Sequence, residues 1–494
     1  MLRLLTLDRD RFRGSFGERR LSEMAAEIPP RSQATRWREQ AIAQVIRYRL
    51  ANGLRVWARP RPGSGTIALA MQIPVGSRHE TEANNGISHL LEHMLFTGTE
   101  RWTENEVVDV MRRRGGVANA LTGVSDTIVY LHLDAEHLPL ALEWLYQVIF
   151  CPTLAPDKLE KERKVVINEK GGEFGRLHSL YEWVETRQLG WDVSRAVQRR
   201  LFPESSLLLP VIGTDASLKA IDRAALVNHY QQHYVPNNMT LIAVGEFVPE
   251  TLREQVEANL GIVPRAEPPP PPPPARFDRT PFTLRLRGPA PNEQGQFLLG
   301  APLGPDNHPD RWAWWVLAEL LERAYTQEIR HRHGLTYDVN VYTSLYPEGG
   351  YFAIYTQTEV ANFPMVREVV ERGLARVLEG DCGEGELEDA KTMMRGRTLL
   401  SLQSNLDLVW WYSVDTLIVD DEEPVPDYFA AIQAVKADTL QRVAQTYLRP
   451  EQRFSVVHNP LVTPRRARPW AAVGVAALST ALLAWRRRSK RRLG

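Results

Sequence analysis

The sequence predicts an α+β protein built from two repeats. Three observations carry that reading. Between Tyr48 and Phe150, runs that alternate apolar and polar residues, as strands do, are interleaved with segments of helical periodicity. Seven consecutive prolines, Pro268–Pro274, then interrupt the chain. After them, the order of elements that runs from Gly115 to Glu162 recurs from Arg332 onward. The 494 residues suffice for two or more domains with separate cores. A formal net charge of zero gives no reason to expect nucleic acid as a partner. Cys151 and Cys382 are the only cysteines, which excludes a disulfide scaffold and leaves any metal to histidine and carboxylate.

Residues 1–40 read as a weakly structured lead-in. Asp8 and Arg9 interrupt the apolar run Met1–Leu7 too early for a secretory signal, and Met24 is an alternative start. A first domain is expected over residues 41–264. Tyr48–Ala58 and Ile67–Val75 read as strands, with Asn52-Gly53 as a turn inside the first run. A helix begins near Gly86 and another covers Glu104–Arg113; Gly115-Gly116 then breaks the pattern. Val117–Thr122 is extended, Thr127–Leu133 is a strand, and His137–Phe150 is a helix with Leu138, Leu142 and Leu145 on its buried stripe. Asp157–Glu173 is a charged helix, and Thr240–Val244 an apolar strand. The prolines mark an extended, semi-rigid linker over residues 265–280, since each one removes a backbone donor. The second repeat occupies residues 281–462. Its Arg332–Tyr337 segment, the helix Phe363–Leu378 and Leu387–Lys391 follow the order of the first repeat.

Chemistry concentrates in Ser88-His89-Leu90-Leu91-Glu92-His93-Met94. On a helix, His89 and His93 lie on one face a turn apart, so both imidazoles reach one ion, and Glu92 points toward the same face. A catalytic zinc takes three protein ligands and keeps a position open for water, with a carboxylate nearby to take the proton. H-x-x-E-H is the inverted zincin motif. A packing helix with Leu90, Leu91, Met94 and Leu95 inward explains the same residues. Composition alone makes a match somewhere in the chain about a two-in-a-hundred event, so the motif needs a third ligand. Glu162 and Glu169, two helical turns apart, offer carboxylates on one face of the next charged helix. Periodicity does not choose between Glu169 and its neighbours Glu160, Glu162 and Glu173.

The run Gly86–Thr99 and the segment Glu162-Arg163-Lys164-Val165-Val166-Ile167-Asn168-Glu169 resemble the pitrilysin and mitochondrial processing peptidase family of zinc metallopeptidases. The resemblance extends from about Tyr48 to Tyr355, more weakly to Tyr447. It implies two homologous repeats, each a mainly antiparallel sheet packed with helices. It implies one zinc per chain bound by His89, His93 and Glu169, with Glu92 as general base and Glu162 supporting the site. Asn119 and Ala120 match the edge strand whose backbone holds the peptide substrate. Arg330 and Tyr337 match an arginine and a tyrosine that members bring from a metal-free domain to the substrate and the oxyanion. In the second repeat no H-x-x-E-H occurs, and Arg397 falls opposite Glu169. The chain departs from the family at Pro203–Gly213 and at Glu319–Thr326, where a glycine-rich segment is usual. Family chambers use four such domains, so the resemblance implies a homodimer, or a heterodimer with a separate partner. The function implied is a zinc endopeptidase acting on peptides or unfolded segments; the alternative is a catalytically silent scaffold or peptide-binding subunit.

The tail, residues 463–494, is unlike the rest. Trp470–Trp485 carries no charge, has a tryptophan at each end, and lies between arginine clusters. A spanning helix takes about 20 residues, and snorkelling arginines can cover a shorter one. The expectation is a single-pass C-terminal membrane anchor, with the side of the catalytic domain left open.

Overall fold

The computed structural model describes residues 44–171, 192–289, 293–418 and 424–462. The first of its two sheets is made by β1 (Ile46–Arg49), β2 (Arg55–Pro60), β3 (Thr66–Ile73), β4 (Val117–Thr122), β5 (Thr127–Asp134) and β6 (Thr240–Gly245), in the order β1-β2-β6-β3-β5-β4. β2 and β6 run parallel and all other neighbours antiparallel. The middle strands read as unbroken apolar runs, Ile67–Met71 and Leu241–Val244, and are buried on both faces. Such runs occur where helices cover both sides of a sheet.

Around this sheet lie α1 (Ile87–Leu95), α2 (Glu104–Arg112), α3 (Leu138–Phe150) and α4 (Pro156–Gly171). Then come α5 (Val193–Leu201), α6 (Asp215–Ala220), α7 (Arg223–His233) and α8 (Pro249–Leu260). Pro268–Pro274 belongs to no helix or strand.

The second sheet is made by β7 (Thr283–Pro289), β8 (Gly295–Leu303), β9 (Val339–Tyr346), β10 (Gly349–Thr358) and β11 (Phe454–Val462), ordered β7-β11-β8-β10-β9. The helices of the second half are α9 (Arg311–Tyr325), α10 (Phe363–Glu379), α11 (Glu384–Ser401), α12 (Asn405–Ile418), α13 (Tyr428–Ala434) and α14 (Ala437–Tyr447). β7 and β11 are its one parallel pair. Strand for strand this is the first sheet without β1: β7 stands for β2, β11 for β6, β8 for β3, β10 for β5 and β9 for β4.

The halves exchange a helix. α5, which precedes the prolines, packs on β8 and β11 of the second sheet, where Val193, Val197 and Leu201 join Leu298, Ala353 and Val456. α12, which follows them, packs on β3 and β6 of the first sheet. There Asn405 donates to the Thr66 carbonyl at 2.8 Å and accepts from Arg61 at 2.7 Å, and the Gln72 amide donates to the Ser413 carbonyl at 2.9 Å. Periodicity shows that these helices bury a face but not which sheet receives it.

Three sequence expectations fall outside the described residues: the lead-in over residues 1–40, Glu173 at the end of its helix, and the apolar stretch Trp470–Trp485. Among the described residues, no helix is long and apolar enough to cross a membrane.

Candidate metal centre

α1 starts where the chain turns at Gly86, which adopts φ +90; a Cβ there would come 2.7 Å from the Gly213 Cα. Helix starts leave backbone N–H groups without partners and carry partial positive charge. Here the carboxylate of Glu80 serves them. It accepts from Gly86 N at 2.7 Å, Ser88 N at 2.9 Å and the Asn85 amide at 2.8 Å. Ile87, Leu90, Leu91, Met94 and Leu95 of α1 are buried in the first core, so the packing account of these residues holds as well. It leaves the opposite face to His89, Glu92 and His93.

α4 approaches that face because its other side is anchored. Arg163 donates to the carbonyls of Leu218 and, at 2.8 Å, Ile221; Lys170 pairs with Asp215 at 2.9 Å. These contacts to α6 and the residue after it turn Glu162 and Glu169 toward α1. One ligand atom each from His89, His93 and Glu169 lies within 4.8 Å of the others. The two imidazole rings are 4.8 Å apart, and His93 Nε2 is 3.6 Å from Glu169 Oε2. Glu162 Oε2 sits 3.3 Å from His93 Nδ1, on the far side of the ring from Glu169.

Electrostatics suit a cation. Burial, then the neighbouring His93, pulls His89 down to about 4, so its imidazole is neutral and able to ligate. Its Nδ1 is buried without a hydrogen-bond partner. Burial pushes the Glu92 carboxyl up, opposed first by the hydroxyl of Thr122, which donates to Oε2, and then by His93. Two imidazoles and a carboxylate fit zinc, because they fill three tetrahedral positions and leave the fourth open. The Glu162 carboxylate fixes which nitrogen of His93 carries the proton, as outer-shell partners of metal-binding histidines do.

A cleft of about 730 Å³ opens at this face, lined by Glu92, His93, Phe96, Asp109, Asn119 and Glu162 among others. Among the described residues β4 is an edge strand of the sheet, and Asn119 and Ala120 pair there with β5 on one side only. Arg330 and Tyr337 meet each other, the guanidinium 4.6 Å from the ring centroid. Arg330 lies in a π-helical turn, Thr326–Arg332, and Tyr337 is 79% exposed. All described residues lining the cleft come from the first half, and Arg330 and Tyr337 are not among them.

At the corresponding place in the second half, α9 and α11 face each other through Glu319 and Arg397, paired by two bonds of 3.0 Å. Sequence reasoning missed Glu80, Thr122 and His229, whose Nε2 meets the Ser88 hydroxyl at 3.2 Å. Thr122 and His229 reach α1 from 30 and 141 residues away, which no local spacing announces, and Glu80 caps it from six to eight residues before its partners.

Residues 55–178 match the family description "Insulinase (Peptidase family M16)", and residues 220–394 match "Peptidase M16 inactive domain". The chain belongs to peptidase family M16. The first match contains the histidine motif; the second runs from the end of α6 into α11, so it takes in part of the first half as well as the second. The uncharacterized zinc protease YmxG of Bacillus subtilis is 26% identical over 405 residues, covering 81% of this chain and 95% of its own length. The mitochondrial-processing peptidase subunit beta of Mus musculus is 26% identical over 424 residues, 81% of each chain. Among solved M16-like folds, a protease from Helicobacter pylori superposes with a TM-score of 0.72 at 20% identity, over 84% of this chain and 99% of that one. The mixed α+β fold with two helix-packed sheets is thus that of the family.

Proposed function

We propose that the chain is a zinc endopeptidase acting on peptides or unfolded segments. One observation carries this reading: three metal donors and the half-buried Glu92 carboxylate converge beside a sheet edge that no other described strand covers. His89, His93 and Glu169 would hold one zinc, which supplies a Lewis acid for the peptide carbonyl and lowers the pKa of water. Glu92 takes the proton from the attacking water and delivers it to the leaving amine. Thr122 holds the Glu92 carboxylate, and Glu162 holds His93. A peptide adds as a strand along β4, its backbone meeting that of Asn119 and Ala120. Glu92→Gln should keep its zinc and lose hydrolysis of an unfolded peptide by a factor of ~10³ or more. Retained hydrolysis removes Glu92 from the base role, and zinc without hydrolysis in the wild-type chain favours the silent peptide-binding subunit.

The active unit in this reading is a homodimer. Arg330 and Tyr337 stand away from their own chain's cleft, and an arginine and a phenol suit a developing oxyanion in a facing subunit. Mixing inactive Tyr337→Phe and Glu92→Gln chains, with subunit exchange verified, should restore part of the activity; no recovery points to sites confined to one chain. Trp470–Trp485 and its flanking arginines support a membrane anchor, tested by whether deleting residues 463–494 releases the chain from membranes.

A further inference from the structure

Between the two lobes lies a second cavity, of about 1080 Å³. It touches the strand assigned above to the substrate, because Leu121 of β4 is part of its wall. Side chains along β4 alternate. Ala120 and Thr122 are buried on the side of α1, where Thr122 meets Glu92; Val117, Asn119 and Leu121 are exposed. The opposite face of the sheet carries α12, whose Trp410 stands edge-on to Tyr130 at 4.8 Å. Leu121 therefore leaves the strand toward the cavity at the level where its neighbour Thr122 leaves it toward Glu92.

The cavity wall is aromatic and held in place. Trp312 and Trp315 form a T-shaped pair at 5.1 Å beside Trp410. Phe277, after the prolines, stacks on Phe202 at 5.1 Å. Glu348 of the second lobe accepts from Arg78 of the first and, at 3.1 Å, from Ala275 N of the linker, so three parts of the chain are tied at one rim. Asp126 accepts from Gln72 at 2.9 Å. The wall also holds His79, Asp306 and Arg311, whereas its apolar surface is made by the rings, Leu121, Ile128, Val414 and the prolines.

We propose that this cavity is a specificity pocket for a bulky apolar side chain, aromatic by preference, of the peptide lying along β4. The inference rests on the peptidase reading above. A strand added beside β4 alternates as β4 does: side chains on one face go to the cleft with Glu92, those on the other to the pocket. One residue advances the strand by about 3.4 Å, so the side chain received belongs within about three residues of the bond cleaved. Backbone pairing supplies affinity, and pockets for alternate side chains supply selection.

The test uses peptides with one cleavable bond, in which each of the three positions on either side carries Phe, Leu, Ala, Lys or Asp in turn. At one position, kcat/KM for Phe and Leu should exceed that for Ala, Lys and Asp by about tenfold or more. Leu121→Asp and Trp312→Ala should shrink the Phe-to-Ala ratio to about twofold or less. Leu121 is a half-exposed strand residue, so its variant keeps the test open if Trp312→Ala does not fold. No apolar preference at any position, a preference for Lys, or a ratio untouched by Leu121→Asp overturns the proposal. If the wild-type chain cleaves none of the peptides, the catalytic reading fails by itself. The Phe-to-Ala ratio in binding of the same peptides then decides the pocket, an equal affinity sinking it.

Discussion

The two sheets share a strand order and differ in what their flanking helices present to each other. In the first half, α1 and α4 bring two imidazoles and the Glu169 carboxylate together, with Glu162 behind His93. In the second, α9 and α11 meet through the Glu319–Arg397 pair. Opposite charges in a two-bond arrangement satisfy each other and ask for no ligand. The neutral imidazole of His89 with its unpartnered nitrogen, the His93 ring between two carboxylates and the half-buried Glu92 do not satisfy each other, and a divalent cation would complete them. The same architecture thus serves as a frame in one half and as a site in the other, and the difference lies in a handful of side chains.

The largest effect expected comes from making the first half resemble the second in metal binding. His93→Ala should lose zinc, measured by elemental analysis, and lower peptide hydrolysis by ~10³ or more. A variant that still holds one zinc per chain would break the comparison.

Acid should act next, and on the first half above all. His79, His229 and His233 lie buried together there, pulled down to about 4, about 3 and about 4, with burial as the main cause in each. A histidine whose folded pKa lies below its unfolded value near 6.5 binds its proton more readily when unfolded. The stability it contributes is complete above pH 6.5 and declines as pH falls toward 4. The slope is about 1.4 kcal/mol per pH unit for each imidazole that titrates independently. Urea unfolding of the metal-free chain between pH 7 and 4 measures it, and a flat profile contradicts the burial argument.

Thr122→Val should cost about tenfold in kcat/KM while leaving zinc in place. The lost hydroxyl bond favours ionised Glu92, so the acid limb of the pH–rate profile should move to higher pH. An unmoved limb would separate Thr122 from the base. The smallest effect is expected in the second half. Arg397 is 62% exposed at its side chain, so Arg397→Ala should cost roughly 1 kcal/mol of stability in a denaturant titration. Zinc content should not change; a change would mean that the two halves are coupled through their exchanged helices.

How much of this was legible in the sequence depended on how local the signal was. The α1 motif was legible because i and i+4 share a face of any helix. The repeat was legible in the recurrence of elements after the prolines, and β4 in the break made by Gly115-Gly116. Glu169 was not singled out by spacing, since four glutamates share its helix. The anchoring of Arg163 and Lys170 to α6 and Ile221 turns that residue and Glu162 toward the histidines. Glu80, capping α1 from before the turn, and Thr122, reaching Glu92 from the neighbouring strand, left no local mark either.

By itself the sequence determined the two repeats and that the histidine motif stands in the first and not in the second. Those properties follow from short-range periodicity and from which side chains are present. Only the tertiary structure decided that each sheet is completed by a helix from the other half, and that Leu121 opens into a cavity shared by both lobes. Both depend on which apolar face finds which partner across hundreds of residues, and hydrophobic burial is non-directional. The amphipathic pattern states that a face must be covered; packing alone settles by what.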